Sequence, residues 1–293
     1  MARSKKKFHK VNLEISNICN LQCSFCPPVE REKKMMSLDL FQKILPQIAP
    51  LTELVCLHLM GEPLTHPQLK QIIDECDKNQ TKIFFVTNGI LIREDKFNLL
   101  LHPIIYQVNF SLHSFFDNFP GKDPTSYLEK IFDYTELALK NRPDLFINYR
   151  LWNLNDTRGS ETDNTNMLQK IEDRFDFTAP SSFDLKAEKS FKIKNRLYLH
   201  FDTEFTWPSL SLPPLGDKGS CYGLSGHFGI HADGTVVPCC LDKEADIPLG
   251  NANESDINEI LNSERAQKIL KGFQENKLTE DLCKRCQYIE RFK

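Results

Sequence analysis

The chain has 293 residues, 40% of them hydrophobic and 26% charged, and a formal net charge of −3. That balance suits one large globular domain, or a domain with an appendage, and excludes a globally basic nucleic-acid-binding protein. The basic start MARSKKKFHK runs into VNLEIS rather than into about 18 apolar residues, so neither a signal peptide nor a membrane span is expected and the protein reads as cytoplasmic.

Short apolar strands alternate with helical patterns over the first two-thirds. Residues 10–16 read as a strand, and 37–49 as a helix with Leu38, Phe41, Leu45 and Ile48 at helical spacing. A strand follows at 53–60, then a helix at 66–79 with Pro67 near its first turn and Leu69, Ile72, Ile73 and Cys76 on one face. Strands are expected at 82–88, 104–113, 145–153 and 196–202, with helices at 125–141 and 164–175. Such alternation predicts a parallel sheet of βα units. Six strands are two short of a closed eight-fold barrel, so the fold class is α/β, a partial (β/α)6 TIM-like barrel.

Strand parity adds a functional hint, because side chains alternate along a strand. In 104–113, Ile104, Tyr106, Val108, Phe110 and Leu112 share one face, whereas Gln107, Asn109, Ser111 and His113 share the other. The split recurs at Asn12, Glu14 and Ser16, at His58, at Asn148 and Arg150, and at Tyr198, His200 and Asp202. A filled barrel core would be mostly branched and apolar. A polar interior predicts an open barrel that holds a ligand and water. The alternative, an exposed sheet face, is disfavoured because parallel sheets are normally covered on both sides.

From residue 203 the four prolines of TEFTWPSLSLPPLGDKGS read as a linker. HFGIHADGTVVPCC then reads as a β-hairpin turning at Asp233–Gly234, and 255–273 as one amphipathic helix. The boundary between domains is placed at 215/216: a barrel over 1–215 and a small domain of hairpin plus helix over 216–293. The stretch 189–196, KSFKIKNR, reads as solvated and basic.

Ten cysteines are many for a cytosolic chain, and clustered ones suggest metal rather than disulfides. In ISNICNLQCSFCPP, three residues separate Cys19 from Cys23 and two separate Cys23 from Cys26. A closed zinc site wants four ligands, as does a fully ligated four-iron cluster. Three thiolates on one loop can hold three irons and leave the fourth open to chemistry. This spacing, with Phe25 just before the last cysteine and the loop directly after the first strand, resembles the radical S-adenosylmethionine (SAM) enzymes. The resemblance implies a [4Fe-4S] cluster on Cys19, Cys23 and Cys26, with the SAM amino and carboxylate groups on the fourth iron. It also implies reductive cleavage of SAM to a 5′-deoxyadenosyl radical.

Further matches extend along the barrel. MGEPL (60–64) is similar to the family's Gly-Gly-Glu-Pro motif, which binds the SAM amino group: Gly61, Glu62 and Pro63 match, and Met60 replaces the first glycine. VTNG (86–89) ends the third strand as the family's does and contributes Asn88. Ser111 stands where the family contacts the SAM ribose; Asn109 and Arg150 are further candidates for SAM or substrate. His113 and His200, together with Arg150, are the candidate catalytic groups, since histidine titrates near neutrality. His58 shares that property.

The last quarter holds Cys221, Cys239, Cys240, Cys283 and Cys286. GTVVPC (234–239) resembles the Gly-x4-Cys element of the SPASM and twitch extensions behind some radical SAM barrels. A full SPASM set has cysteines for two extra clusters, whereas this chain has enough for one, ligated by Cys221, Cys239, Cys283 and Cys286. Cys240 is an alternative to Cys239, and structural zinc an alternative to iron. Cys56, Cys76, Trp152 and Trp207 are expected in packing roles.

Three outcomes of radical chemistry stay open: two-electron oxidation of a small polar molecule, peptide or protein modification, and modification of RNA through the basic start. A non-enzymatic electron carrier is the reading of a different class. The expected reductant is a flavodoxin- or ferredoxin-type protein and the expected substrate a small polar molecule or peptide; no membrane partner is expected, and the net charge disfavours nucleic acid.

Overall fold

The computed structural model describes residues 7–154, 160–179, 189–204 and 206–292; the basic residues 1–6 lie outside them. The chain divides into two compact units. The first comprises Met1–Asn20, Cys26–Ile83 and Phe205–Lys293, the second Leu21–Phe25 and Phe84–Glu204. The division at 215/216 is a separate proposal about modules.

In the first unit, β1 (Lys10–Leu13) is followed by α1 (Leu38–Ile48), β2 (Leu54–Cys56) and α2 (Leu69–Lys78). α1 starts at Ser37, whose hydroxyl accepts from the Leu40 N–H, and buries Phe41, Ile44, Leu45 and Ile48. β3 (Lys82–Thr87) begins in this unit and continues into the second.

The second unit continues with α3 (Glu94–Leu100), β4 (Ile105–Ser111), α4 (Ser114–Asn118), α5 (Thr125–Asn141), β5 (Phe146–Leu151), α6 (Ser160–Phe175), β6 (Ser190–Lys194) and β7 (Leu197–Phe201). β4, β5 and β7 are parallel neighbours, and β6 lies antiparallel on β7. Tyr134, Tyr149, Phe110, Phe85 and Phe201 are fully buried and form the apolar filling. The helices α3 and α4 were not expected. The 189–196 stretch is not simply solvated: Phe191 and Ile193 alternate with exposed Lys192 and Lys194, the pattern of an edge strand whose lysines discourage further pairing.

The chain returns to the first unit with β8 (His227–Ile230), β9 (Thr235–Val237), β10 (Gly250–Asn251), α7 (Ile257–Leu261) and α8 (Glu264–Gln274). β8 and β9 form the expected hairpin, with Gly234 at φ +91° in its turn. Beyond that expectation, β8 pairs in parallel with β1, Lys10 to Leu13 against His227 to Ile230. The C-terminal hairpin therefore extends the strand array from its first strand. The single helix expected over 255–273 is two, because Ser263 interrupts it and caps α8 by accepting from Ala266 N–H. Among the described residues no helix is long and apolar enough to cross a membrane.

Candidate iron–sulfur and S-adenosylmethionine sites

β1 leads into Ser16–Ile18, and the three cysteines follow at once. Cys19 and Cys26 are exposed and Cys23 is half-buried. The segment before the loop is braced inside the first unit by the Gly61–Glu62–Pro63 turn. Glu62 N–H donates to the Ile18 carbonyl at 2.9 Å, and Thr65 Oγ1 lies 3.4 Å from both Ile18 O and Ser16 Oγ. Gly61 has φ +79°, and a Cβ there would lie 2.2 Å from the Ser16 carbonyl oxygen, so only glycine fits. The Glu62 carboxylate is buried and accepts the Leu64 N–H at 3.1 Å, and Pro63 opens a short 3-10 turn. At Met60, the departure from the family's first glycine, the backbone N–H donates to Glu14 Oε2 at 3.3 Å.

Glu14 was legible only as one polar residue among several. It is fully buried and accepts four hydrogen bonds from three donors: both oxygens accept from Arg31 Nη2 at 3.0 Å, one from Met60 N–H and one from Ala232 N–H at 3.2 Å. Burial raises its pKa, and Arg31 opposes that rise. Arg31 Nε in turn donates to the Lys243 carbonyl, while its N–H and that of Glu30 donate to the Glu244 carboxylate. The segment just after the first cysteine loop is thereby tied to the segment just after Cys239–Cys240.

In the second unit, residues 21–25 of the cysteine loop rest on the turn after β4. Phe25 packs on His113 with ring centroids 4.7 Å apart. His113 is buried, and its Nδ1 lies 3.1 Å from the Arg150 carbonyl, which makes Nδ1 the donor. Asp117 accepts from Ser24 N–H and Ser24 Oγ; Asn118 accepts from Gln22 N–H and donates to Cys23 Sγ at 3.1 Å. Asp117 and Asn118 carried no sequence signal, because α4 is only five residues long.

Strand register gathers the remaining candidates of this unit. Ser111 on β4, Arg150 on β5 and His200 on β7 are successive partners, side by side in one row. Beneath lies Asn109 with partner Asn148. Asn109 is buried: its Oδ1 accepts from Gln107 Nε2 and Asn148 Nδ2, both at 2.8 Å, and its Nδ2 donates to Phe85 O. Arg150 lies over Trp152 at 4.5 Å and Phe84 at 5.7 Å. Trp152, expected only to pack, also donates its indole N–H to His200 Nδ1 at 2.8 Å. An indole N–H is a donor only, so the His200 proton sits on Nε2. Burial pushes both histidines down to about 4, further aided at His200 by Arg150, so neither titrates near neutrality as expected from the sequence. Asn88 closes β3's turn, its Oδ1 accepting from Ile90 N–H.

β9 delivers Cys239 and Cys240, a short 3-10 turn spans Cys283–Arg285 with Cys286 as its cap, and Cys221 Sγ accepts from Gly223 N–H at 3.4 Å. Burial raises the thiols of Cys221, Cys239, Cys283 and Cys286. They also raise one another: Cys239 responds to Cys240, Cys283 and Cys221, and Cys286 to Cys221 and Cys240. The five thiols thus lie within electrostatic reach of one another. Among the described residues no three His, Cys, Asp or Glu side chains converge on one ion-sized position. The donor chemistry fits thiolate-ligated iron: these half-buried thiols would be held as thiolates by a cationic centre. Cys56, 3.2 Å from His58 Nδ1, and Cys76 are core residues as expected.

A radical SAM superfamily model matches residues 13–155, and a SPASM iron–sulfur cluster-binding domain model matches residues 221–287. The subtilosin biosynthesis protein AlbA of Bacillus subtilis is 29% identical over 89 residues, 30% of this chain and 20% of that protein. A crystal structure of BtrN in complex with AdoMet and 2-DOIA is similar with TM-score 0.62 at 17% identity, over 97% of this chain and 94% of that one. Streptococcus suis SuiB bound to S-adenosylmethionine has TM-score 0.62 at 16% identity, over 97% and 72%.

Proposed function

The chain belongs to the radical SAM superfamily and carries a C-terminal SPASM iron–sulfur domain, and on that premise we propose that it removes two electrons from a small polar substrate. The family's cofactors are a SAM-binding [4Fe-4S] cluster and auxiliary iron–sulfur; bound, they supply a 5′-deoxyadenosyl radical for hydrogen abstraction and an acceptor for the second electron. One electron from the external reductant would be used in SAM cleavage; the substrate would lose a hydrogen atom to 5′-deoxyadenosine and then a proton and an electron, the electron going to the acceptor, leaving methionine and an oxidised product such as a ketone.

The observation that carries the oxidation is the cysteine inventory of 221–287. Its five cysteines suffice for one fully ligated auxiliary cluster, which has no iron open to substrate and so serves as an electron acceptor. Cys221, Cys239, Cys283 and Cys286 are assigned as its ligands, and Cys19, Cys23 and Cys26 as those of the first. In the first unit, the buried Glu62 carboxylate is assigned to the SAM ammonium, a charge-assisted pairing. In the second, Ser111, Arg150 and His200 Nε2–H present a row of donors suited to hydroxyl or carboxylate oxygens of a polar ligand. His200 orients by donation rather than accepting a proton, and His113 holds Phe25. The end-to-end likeness to BtrN supports a small-molecule substrate.

A second reading, peptide modification, is favoured by the match to a bacteriocin biosynthesis protein and by the likeness to SuiB, also solved with its precursor peptide SuiA. Anaerobic reconstitution tests the oxidation. We expect about eight irons per chain, with 5′-deoxyadenosine formed from SAM and dithionite. About four irons plus one zinc would remove the acceptor, and a redox-neutral product would end the oxidation reading.

A further inference from the structure

We propose that Asn118 is a positioning residue for the first cluster and raises its reduction potential through a hydrogen bond to the sulfur of Cys23. The proposal rests on the assignment of Cys19, Cys23 and Cys26 to that cluster and is independent of the substrate.

Three hydrogen bonds within one unit hold the Asn118 amide. Its Oδ1 accepts the Gln22 N–H at 2.8 Å. Its Nδ2 donates one hydrogen to the Ser114 carbonyl at 2.9 Å and lies 3.1 Å from Cys23 Sγ with the other. These partners determine the amide orientation. Flipped, the amide would set its oxygen against the Ser114 carbonyl and its NH2 against the Gln22 N–H, losing both bonds. The N–H is therefore committed to the sulfur.

The support behind it is packed. Asn118 sits in the last turn of α4, whose Ser114, Phe115 and Phe116 are buried, and Ser114 Oγ donates to the Ser111 carbonyl at 2.7 Å. Next to it, Asp117 clamps Ser24 through both N–H and Oγ. The two side chains thus do different things to one loop. Asp117 touches only the residue between ligands, whereas Asn118 touches a ligand atom.

An N–H···S bond withdraws negative charge from a thiolate, and hydrogen bonds to sulfur are among the levers that set cluster potential. Charge is greatest on the thiolate when the cluster is reduced, so the bond favours the reduced state. Without it the couple moves to lower potential.

The test is a potentiometric titration of the reconstituted full chain, followed by electron paramagnetic resonance, with iron counted on the same samples. In Asn118→Ala one of the two couples should move down, about tenfold in the reduction equilibrium, or 59 mV for one electron. The other couple should stay. Asp117→Ala, which loosens the loop but leaves the N–H···S bond, should leave both couples in place. Asn118→Asp keeps the acceptor for Gln22 and loses the donor, so it should shift in the same direction with iron retained. An unmoved couple in iron-loaded Asn118→Ala or Asn118→Asp overturns the proposal. An equal shift in Asp117→Ala overturns it too, since loop position would then explain the effect. Iron loss in every Asn118 variant, with Asp117→Ala fully loaded, leaves only a structural role. Iron retained in Cys23→Ala would instead mean that the cluster assignment itself is wrong.

Discussion

Cys19, Cys23 and Cys26 stand on one loop, whereas the C-terminal thiols come from three segments between positions 221 and 286. The first group needs no long-range folding to bring its members near each other. Small polar braces hold it within each unit: in the first, Gly61–Glu62 brace the segment before the loop, and in the second, Asp117 and Asn118 bind residues 22–24. The second group exists only once β8, β9 and the C-terminal turn have packed, and its thiols are raised by burial and by one another. A local group is specified by spacing and braced by hydrogen bonds. A distributed group, here of half-buried thiols, is specified by the fold.

Replacing single cysteines gives the largest effect and the sharpest test of this contrast. Cys23→Ala should lower iron by about four per chain and abolish 5′-deoxyadenosine formation, with the second cluster retained. Cys283→Ala should lose a similar amount of iron yet still form 5′-deoxyadenosine, while oxidised product disappears. If either variant lost all iron, the two groups would not be separable.

Glu14 tests the tie between the segments. Glu14→Ala strands Arg31 and leaves the Met60 and Ala232 amides without their acceptor, so unfolding free energy should fall by about 3–5 kcal/mol. The shift in denaturant midpoint measures it. A loss under about 1 kcal/mol would show that water replaces the carboxylate.

Smaller effects refine the ligand set. Cys240→Ala should leave the iron count unchanged, and Cys239→Ala should lower it by about four; the reverse result would exchange their assignments. The smallest effect concerns His200. Its folded pKa of about 4 lies below the ordinary value of 6.5, so whatever stability its neutral form provides is complete above about pH 6.5 and lost as pH falls through 4. Ring nitrogen shifts of His200 in the chain without iron should therefore be flat from pH 8 to 6. A midpoint near 6.5 would mean that the bond from Trp152 opens.

Some of this protein could be read from residues in order. The three-cysteine spacing, the Gly-Glu-Pro turn, the six expected strands and four expected helices of the first two-thirds, and the hairpin at Asp233–Gly234 are local patterns. Local patterns survive into the fold because backbone geometry at a turn or along a strand depends on adjacent residues. The edge strand 190–194 was concealed by its lysines, and the break at Ser263 by the continuous apolar stripe around it.

Tertiary structure decided the rest. Parity placed Glu14, Arg150 and His200 on polar faces, but only register set Arg150 between Ser111 and His200, and only packing made Glu14 the acceptor for Arg31, Met60 and Ala232. Neutrality at His113 and His200 comes from burial, which no side-chain identity reports. Asp117 and Asn118 meet residues 22–24 from more than 90 positions away along the chain. A hydrogen bond needs donor and acceptor at the right distance and angle, and for residues so far apart that coincidence is created by the packing of the elements between them.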